Sequence, residues 1–236
     1  MKWQHKLFAL MSLLFSYQIS FASEQNPSDA EKEAWFNDDA EFRIADVNEG
    51  KLNFLVDSKK ALAHKSENHI KILPESLKNG WVEMAQCHRG LDAVPLAQLV
   101  FPEYVIRQLK ITKQQGIAEA VVEGNSVQMV DLSRGAALCV AMQVKALHKE
   151  SEGQYALING PYQRRFLDGY YPMSLQLNID YSESGIKPVD IYPVIQPGMK
   201  ADDKMKKLVI NASFEGVLRT RVLFSALKIV HTGTDG

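Results

Sequence analysis

Between Asn159 and Pro172 the chain packs two adjacent arginines, three tyrosines, a phenylalanine and an aspartate between two breakers (NGPYQRRFLDGYYP). Arginine and tyrosine are enriched at binding hot spots because each combines a large contact area with directional donors. A guanidinium also forks onto carboxylate or phosphate. Tyr162, Arg164, Arg165, Asp168, Tyr170 and Tyr171 therefore read as a loop that recognises an anionic ligand or a partner surface. Arg219 and Arg221 share one face of the last predicted strand and extend a basic patch if that face lies near the loop. A plainer reading fits the same residues. Arg164 or Arg165 pairs with Asp168, the tyrosines pack at a sandwich corner, Phe166 and Leu167 enter the core, and Arg219 and Arg221 sit on a solvated sheet face.

No catalytic residue is assigned. The chain has no Gly-x-Ser-x-Gly elbow, and Gly124-Asn125-Ser126 belongs to a hairpin rather than a phosphate loop. Glu83, Asp92, Glu119 and Glu123 are available carboxylates, and nothing in their spacing selects a pair. Cys87-His88 matches only the tail of a haem-attachment motif, and on a strand these neighbours face opposite ways. His64, His69, His88, His148 and His231 have no metal-ligand spacing, and His64 and His69 fall in a polar stretch where histidines are usually solvated. Neither a metal nor a cofactor is expected.

The chain opens with Lys2 and Lys6, an apolar run from Leu7 to Phe15, and a small-residue exit at Ser20-Phe21-Ala22. That order is a secretory signal peptide, and the run is shorter than the roughly 20 residues that span a bilayer. Residues 1–22 are expected to be removed. The mature chain then holds 25 basic and 28 acidic residues, a net charge of −3. This is not the basic footprint of a nucleic-acid binder, and no second apolar run predicts a transmembrane helix. In an oxidising compartment Cys87 and Cys139 are expected to form a disulfide, with two buried free thiols as the alternative. Asn211-Ala212-Ser213 is a glycosylation acceptor only in a eukaryotic secretory route. The plain leader and sparse cysteines favour a bacterial periplasm over an extracellular location.

These residues must be positioned by strands. Met173 to Tyr181 alternates strictly, with Met173, Leu175, Leu177, Ile179 and Tyr181 on one face and Ser174, Gln176, Asn178 and Asp180 on the other. A period of two marks a half-buried strand. Other apolar-rich runs at 52–56, 69–73, 81–88, 104–112, 117–122, 127–132, 136–147, 155–158, 189–195, 208–214 and 217–229 are separated by Gly, Pro and Asn breaks. Residues 199–207 look polar enough for a helical turn. Ser28 caps a short predicted helix in an otherwise charged arm, on which Trp35 and Phe36 are expected to dock on the main body. Many short strands without a long amphipathic helix predict an all-β, antiparallel β-sandwich protein. Length suggests two immunoglobulin-like modules, 49–150 and 151–236, after an N-terminal arm at 23–48; a single larger sandwich is the alternative.

Such a fold offers surfaces and loops. The sequence therefore points to an exported, non-catalytic binding or assembly protein of the cell envelope, with a protein partner or an anionic ligand. Two other readings stay open. One is an exported hydrolase acting on envelope polymers; the other is a periplasmic carrier of a small ligand or lipid, with apolar walls between its sheets.

Overall fold

The computed structural model describes residues 48–56, 64–103 and 105–227. The signal peptide, the predicted helix at Ser28, Trp35, Phe36 and His231 lie outside the described residues.

The described chain is almost entirely strand, arranged in two main sheets. The larger sheet centres on β2 (Lys65–Lys71), β3 (Trp81–Leu91), β6 (Ser126–Lys145), β11 (Met173–Asp180) and β14 (Lys207–Glu215), in the order β14-β11-β2-β3-β6. At one end β14 also pairs with β1 (Asn53–Phe54) and β13 (Met199–Lys204). At the other end β6 pairs along its length with β5 (Ile106–Glu123) and, over its first residues, with β4 (Val94–Val100). The smaller sheet runs β12 (Ile186–Tyr192), β15 (Leu218–Ala226), β8 (Gln154–Tyr162), β7 (Leu147–Ser151). A two-stranded ribbon, β9 (Arg165–Phe166) and β10 (Gly169–Tyr170), projects after β8, and the helical turn α1 (Ser76–Asn79) precedes β3.

The alternation read at 173–181 is what the fold uses. Met173, Leu175, Leu177 and Ile179 are buried and their neighbours are not. Leu208, Ile210, Ala212 and Phe214 on β14 join them, as do Leu218, Val222 and Phe224 from β15 in the other sheet. One apolar cluster thus lies between two sandwich-like layers. Each fully buried Leu, Ile, Phe or Met contributes roughly 1.5–3 kcal/mol.

Residues on both sides of position 150 share one sheet, because β2 runs parallel to β11 in register from Ser174–Lys65 to Asp180–Lys71. The larger sheet also exceeds the three- and four-stranded layers of an immunoglobulin domain. The breaks expected near Gly116 and Gly135 do not end strands. Both glycines take positive φ (67° and 81°), and near Gly116 the register shifts, so β5 and β6 form one long hairpin that bends there. Finally, 199–204 is a strand instead of a helical turn. It turns into β14 through Met205 and Lys206, both at positive φ, the geometry of a two-residue hairpin loop.

Candidate functional site

The arginine- and tyrosine-rich segment is built into the end of the sandwich. Arg164 is mostly buried and donates to both carboxylate oxygens of Asp92 at 2.7 and 2.8 Å, and to the Pro172 carbonyl at 3.1 Å. Its guanidinium also lies 5.5 and 5.6 Å over the rings of Phe166 and Tyr171. The partner is therefore Asp92, 72 residues away, and Asp168 instead accepts from the Tyr171 hydroxyl at 2.6 Å. That hydrogen bond holds the Tyr171 phenol above its ordinary range. Tyr170 packs its ring against Gly50, and its backbone N–H donates to Asn48. Tyr162 is buried, with its phenol oxygen accepting from the Asn68 amide at 2.9 Å. Burial pushes that phenol far above its usual range. Arg221 sits 3.3 Å from Glu150, and Arg219 is exposed on the outer side of β15. The structure thus holds Arg164 and Tyr162 inside, and leaves Arg165 and Arg219 at the surface.

This division sets a stability contrast. Arg164→Ala removes a forked, charge-assisted pair and leaves Asp92 half-buried without its cation. It is expected to lower unfolding free energy by about 1.5–3 kcal/mol in a urea titration. Arg165→Ala, at an exposed position, is expected to stay within about 0.5 kcal/mol of the parent. Equal effects from the two would contradict the assignment.

Behind the loop runs a buried polar chain that sequence reasoning missed. His64 Nε2 lies 3.0 Å from His88 Nδ1, and His88 Nε2 lies 2.9 Å from the Gln86 amide nitrogen. Gln86 also reaches Ser66 at 3.5 Å, Ser66 donates to Asn68 at 3.3 Å, and Asn68 donates to Tyr162. Burial lowers the pKa of His64 to about 4, with the Arg164 charge adding to the shift and Asp92 opposing it. His88 falls to about 3, through burial and then through His64. His64 is thus a core residue, not the solvated loop histidine that its surroundings suggested, whereas His69 is exposed. The available signal was period two. Ser66 and Asn68 alternate in step with Ile70, and Gln86 and His88 continue the inward row of Val82 and Met84.

At the junction where β6 passes into β7, the two sheets leave a cleft of about 580 Å³. This lies within the roughly 300–1,000 Å³ usual for small-molecule sites. Met84, Leu99, Ile106, Val144 and Met173 from the larger sheet face it, with Ile158 from β8 and with Val100, Phe101 and Val105 at its outer corner. Gln86, His88, Asn159 and Tyr162 are its buried polar lining, and Lys145, His148, Gln163 and Arg165 stand at the rim. Val100 is 58% exposed and Ile158 is 44% exposed, so apolar surface is left open inside a concavity. Asn159 Nδ2 is enclosed without a partner, and so is the hydroxyl of Thr220, its cross-strand neighbour.

A second concavity of about 540 Å³ lies on the outer face of the larger sheet, over Ala85 and Ala141. Its walls carry both signs of charge, and Lys207 lies 3.5 Å from Asp180 within it. On the same outer face Cys87 and Cys139, directly opposed on β3 and β6, form a disulfide. Among the described residues no three His, Cys, Asp or Glu side chains are grouped to hold a metal ion, and no helix is long and apolar enough to cross a membrane.

No family model and no curated protein matches this chain. Among solved structures, an M1 zinc metallopeptidase from Deinococcus radiodurans, a mutant bound to a Tyr-Ser-Ala substrate, aligns over 76% of this chain at 6% identity with a TM-score of 0.38. A second structure of the mutant aligns over the same share at 0.36. The chain covers 43% of each of those chains. Likeness at this level carries no argument about function.

Proposed function

We propose that this chain is an exported, non-catalytic binding protein of the cell envelope whose ligand is a small, largely apolar molecule held in the cleft between the sheets. The observation that supports it is the apolar surface left open there, at Val100 and Ile158, above a buried polar lining. Apolar walls with a few convergent polar groups are the ordinary make-up of a ligand pocket. A periplasmic location is supported by the leader-like first residues and by the disulfide, which belongs to oxidising compartments. The partner-surface reading of the loop is weaker, because Arg164 and Tyr162 already have internal partners.

The test is saturable uptake of N-phenyl-1-naphthylamine, a dye whose fluorescence rises in apolar surroundings. Wild-type protein is expected to bind it at one site. Replacing Val100→Thr and Ile158→Thr together keeps good strand formers but removes apolar surface, and is expected to weaken binding by about threefold to tenfold. Absence of saturable binding by the wild type, or an unchanged affinity in the double variant, removes the reading.

A further inference from the structure

We infer that the ligand is an anionic single-chain amphiphile, a fatty-acid-like molecule with its carboxylate at the rim and its chain along the apolar wall; this rests on the cleft being the ligand site. Charge carries the inference. Lys145 and Arg165 line the cleft, with His148 beside them, and no Asp or Glu is among the lining residues. Neighbouring cations are engaged elsewhere, Lys149 with Glu152, Arg221 with Glu150 and Arg164 with Asp92. Among the described residues Lys145 and Arg165 enter no such pair, and Arg165 is steadied by the ring of Tyr170, 5.6 Å from its guanidinium.

A cationic head would meet two like charges with nothing to offset them. A neutral head would leave both cations unpaired. A carboxylate pairs with the forked guanidinium or with the ammonium. The apolar lining, which includes Ile158, Met84 and Ile106, suits an aliphatic chain rather than a free small anion.

The experiment is displacement of N-phenyl-1-naphthylamine from the oxidised full chain by dodecanoate, dodecanol, dodecylamine and dodecyl phosphate, each below its micelle concentration. Dodecanoate is expected to displace the dye about tenfold more tightly than dodecanol, with dodecylamine the weakest. In Lys145→Gln with Arg165→Gln, both exposed positions, dodecanoate is expected to fall to within about twofold of dodecanol while dodecanol is unchanged. Equal displacement by acid, alcohol and amine overturns the anionic inference and leaves the cleft a site for apolar ligands. Displacement by none of them, with no dye uptake, removes both readings. A preference for dodecanoate that survives the double substitution places the head group elsewhere and overturns the inference. Tighter binding of dodecyl phosphate than of dodecanoate overturns the carboxylate assignment.

Discussion

Breaking the Cys87–Cys139 bond is expected to lower the unfolding free energy by about 4 kcal/mol. The two cysteines are 52 residues apart in sequence and directly opposed on adjacent antiparallel strands. Closing a loop of that length removes denatured-state entropy worth about 4 kcal/mol in the chain-entropy model. The bond lies on the outer face of the larger sheet, away from the apolar cluster, so Cys87→Ser with Cys139→Ser leaves the core unchanged. Urea unfolding of the double variant is the measurement. A shift below about 1 kcal/mol would show that the strand pairing alone already constrains the unfolded chain. The same bond reports on the compartment. Protein alkylated at the moment of withdrawal from cells is expected to carry no label on either cysteine, and two labelled thiols would count against export.

How much of this was legible follows from how far each interaction reaches. The alternation at Met173 to Ile179 was visible because one strand buries every second residue whatever its partners are. The cysteine pair was visible because an oxidising route leaves two lone cysteines few alternatives. Pairings between distant segments were not. The parallel match of β2 with β11 joins segments on both sides of position 150 in one sheet, and it depends on residues about 110 positions apart, such as Asn178 and Asn68. β13 was hidden for a local reason. Its turn holds Met205 and Lys206 at positive φ, where glycine or asparagine is the usual signal.

The site shows the same division. The loop from Asn159 to Pro172 was singled out by composition, but Arg164 turned inward to Asp92, a residue that no local pattern connects to it. The cleft is assembled from segments of β3, β4, β6, β8 and β11 that are individually ordinary. Its polar lining was readable only in part. Gln86 and His88 occupy inward positions of an otherwise apolar row, which is the pattern of a buried polar group awaiting a partner. Burial, not sequence, separates His64 from the exposed His69 five residues later.

Acidification from pH 7 to pH 5 is expected to destabilise this protein through His64 and His88, before most of its carboxylates titrate. Gln86 donates to His88 Nε2, so the hydrogen-bond pattern places the His88 proton on Nδ1, from which it is donated to His64 Nε2. A second proton on His64 Nε2 would oppose that donor. The His88 ring would have to change tautomer, and its Nε2–H would then face the Gln86 amide. The neutral pair is therefore the form that fits, and Arg164 adds a further positive charge near His64. Folded pKa values of about 4 and 3 lie below the unfolded value near 6.5. Between these limits the unfolded chain binds more protons than the folded one, so stability falls as pH falls. The contribution is fully present above about pH 6.5 and is lost progressively towards the folded values, by about 2 kcal/mol per histidine at pH 5. The urea midpoint is expected to drop steeply from pH 7 to pH 5. His88→Gln, whose amide does not titrate, is expected to flatten that slope by about half even if its stability at pH 7 is lower. A wild-type midpoint that stays level across the window would rule out a neutral histidine pair in the core.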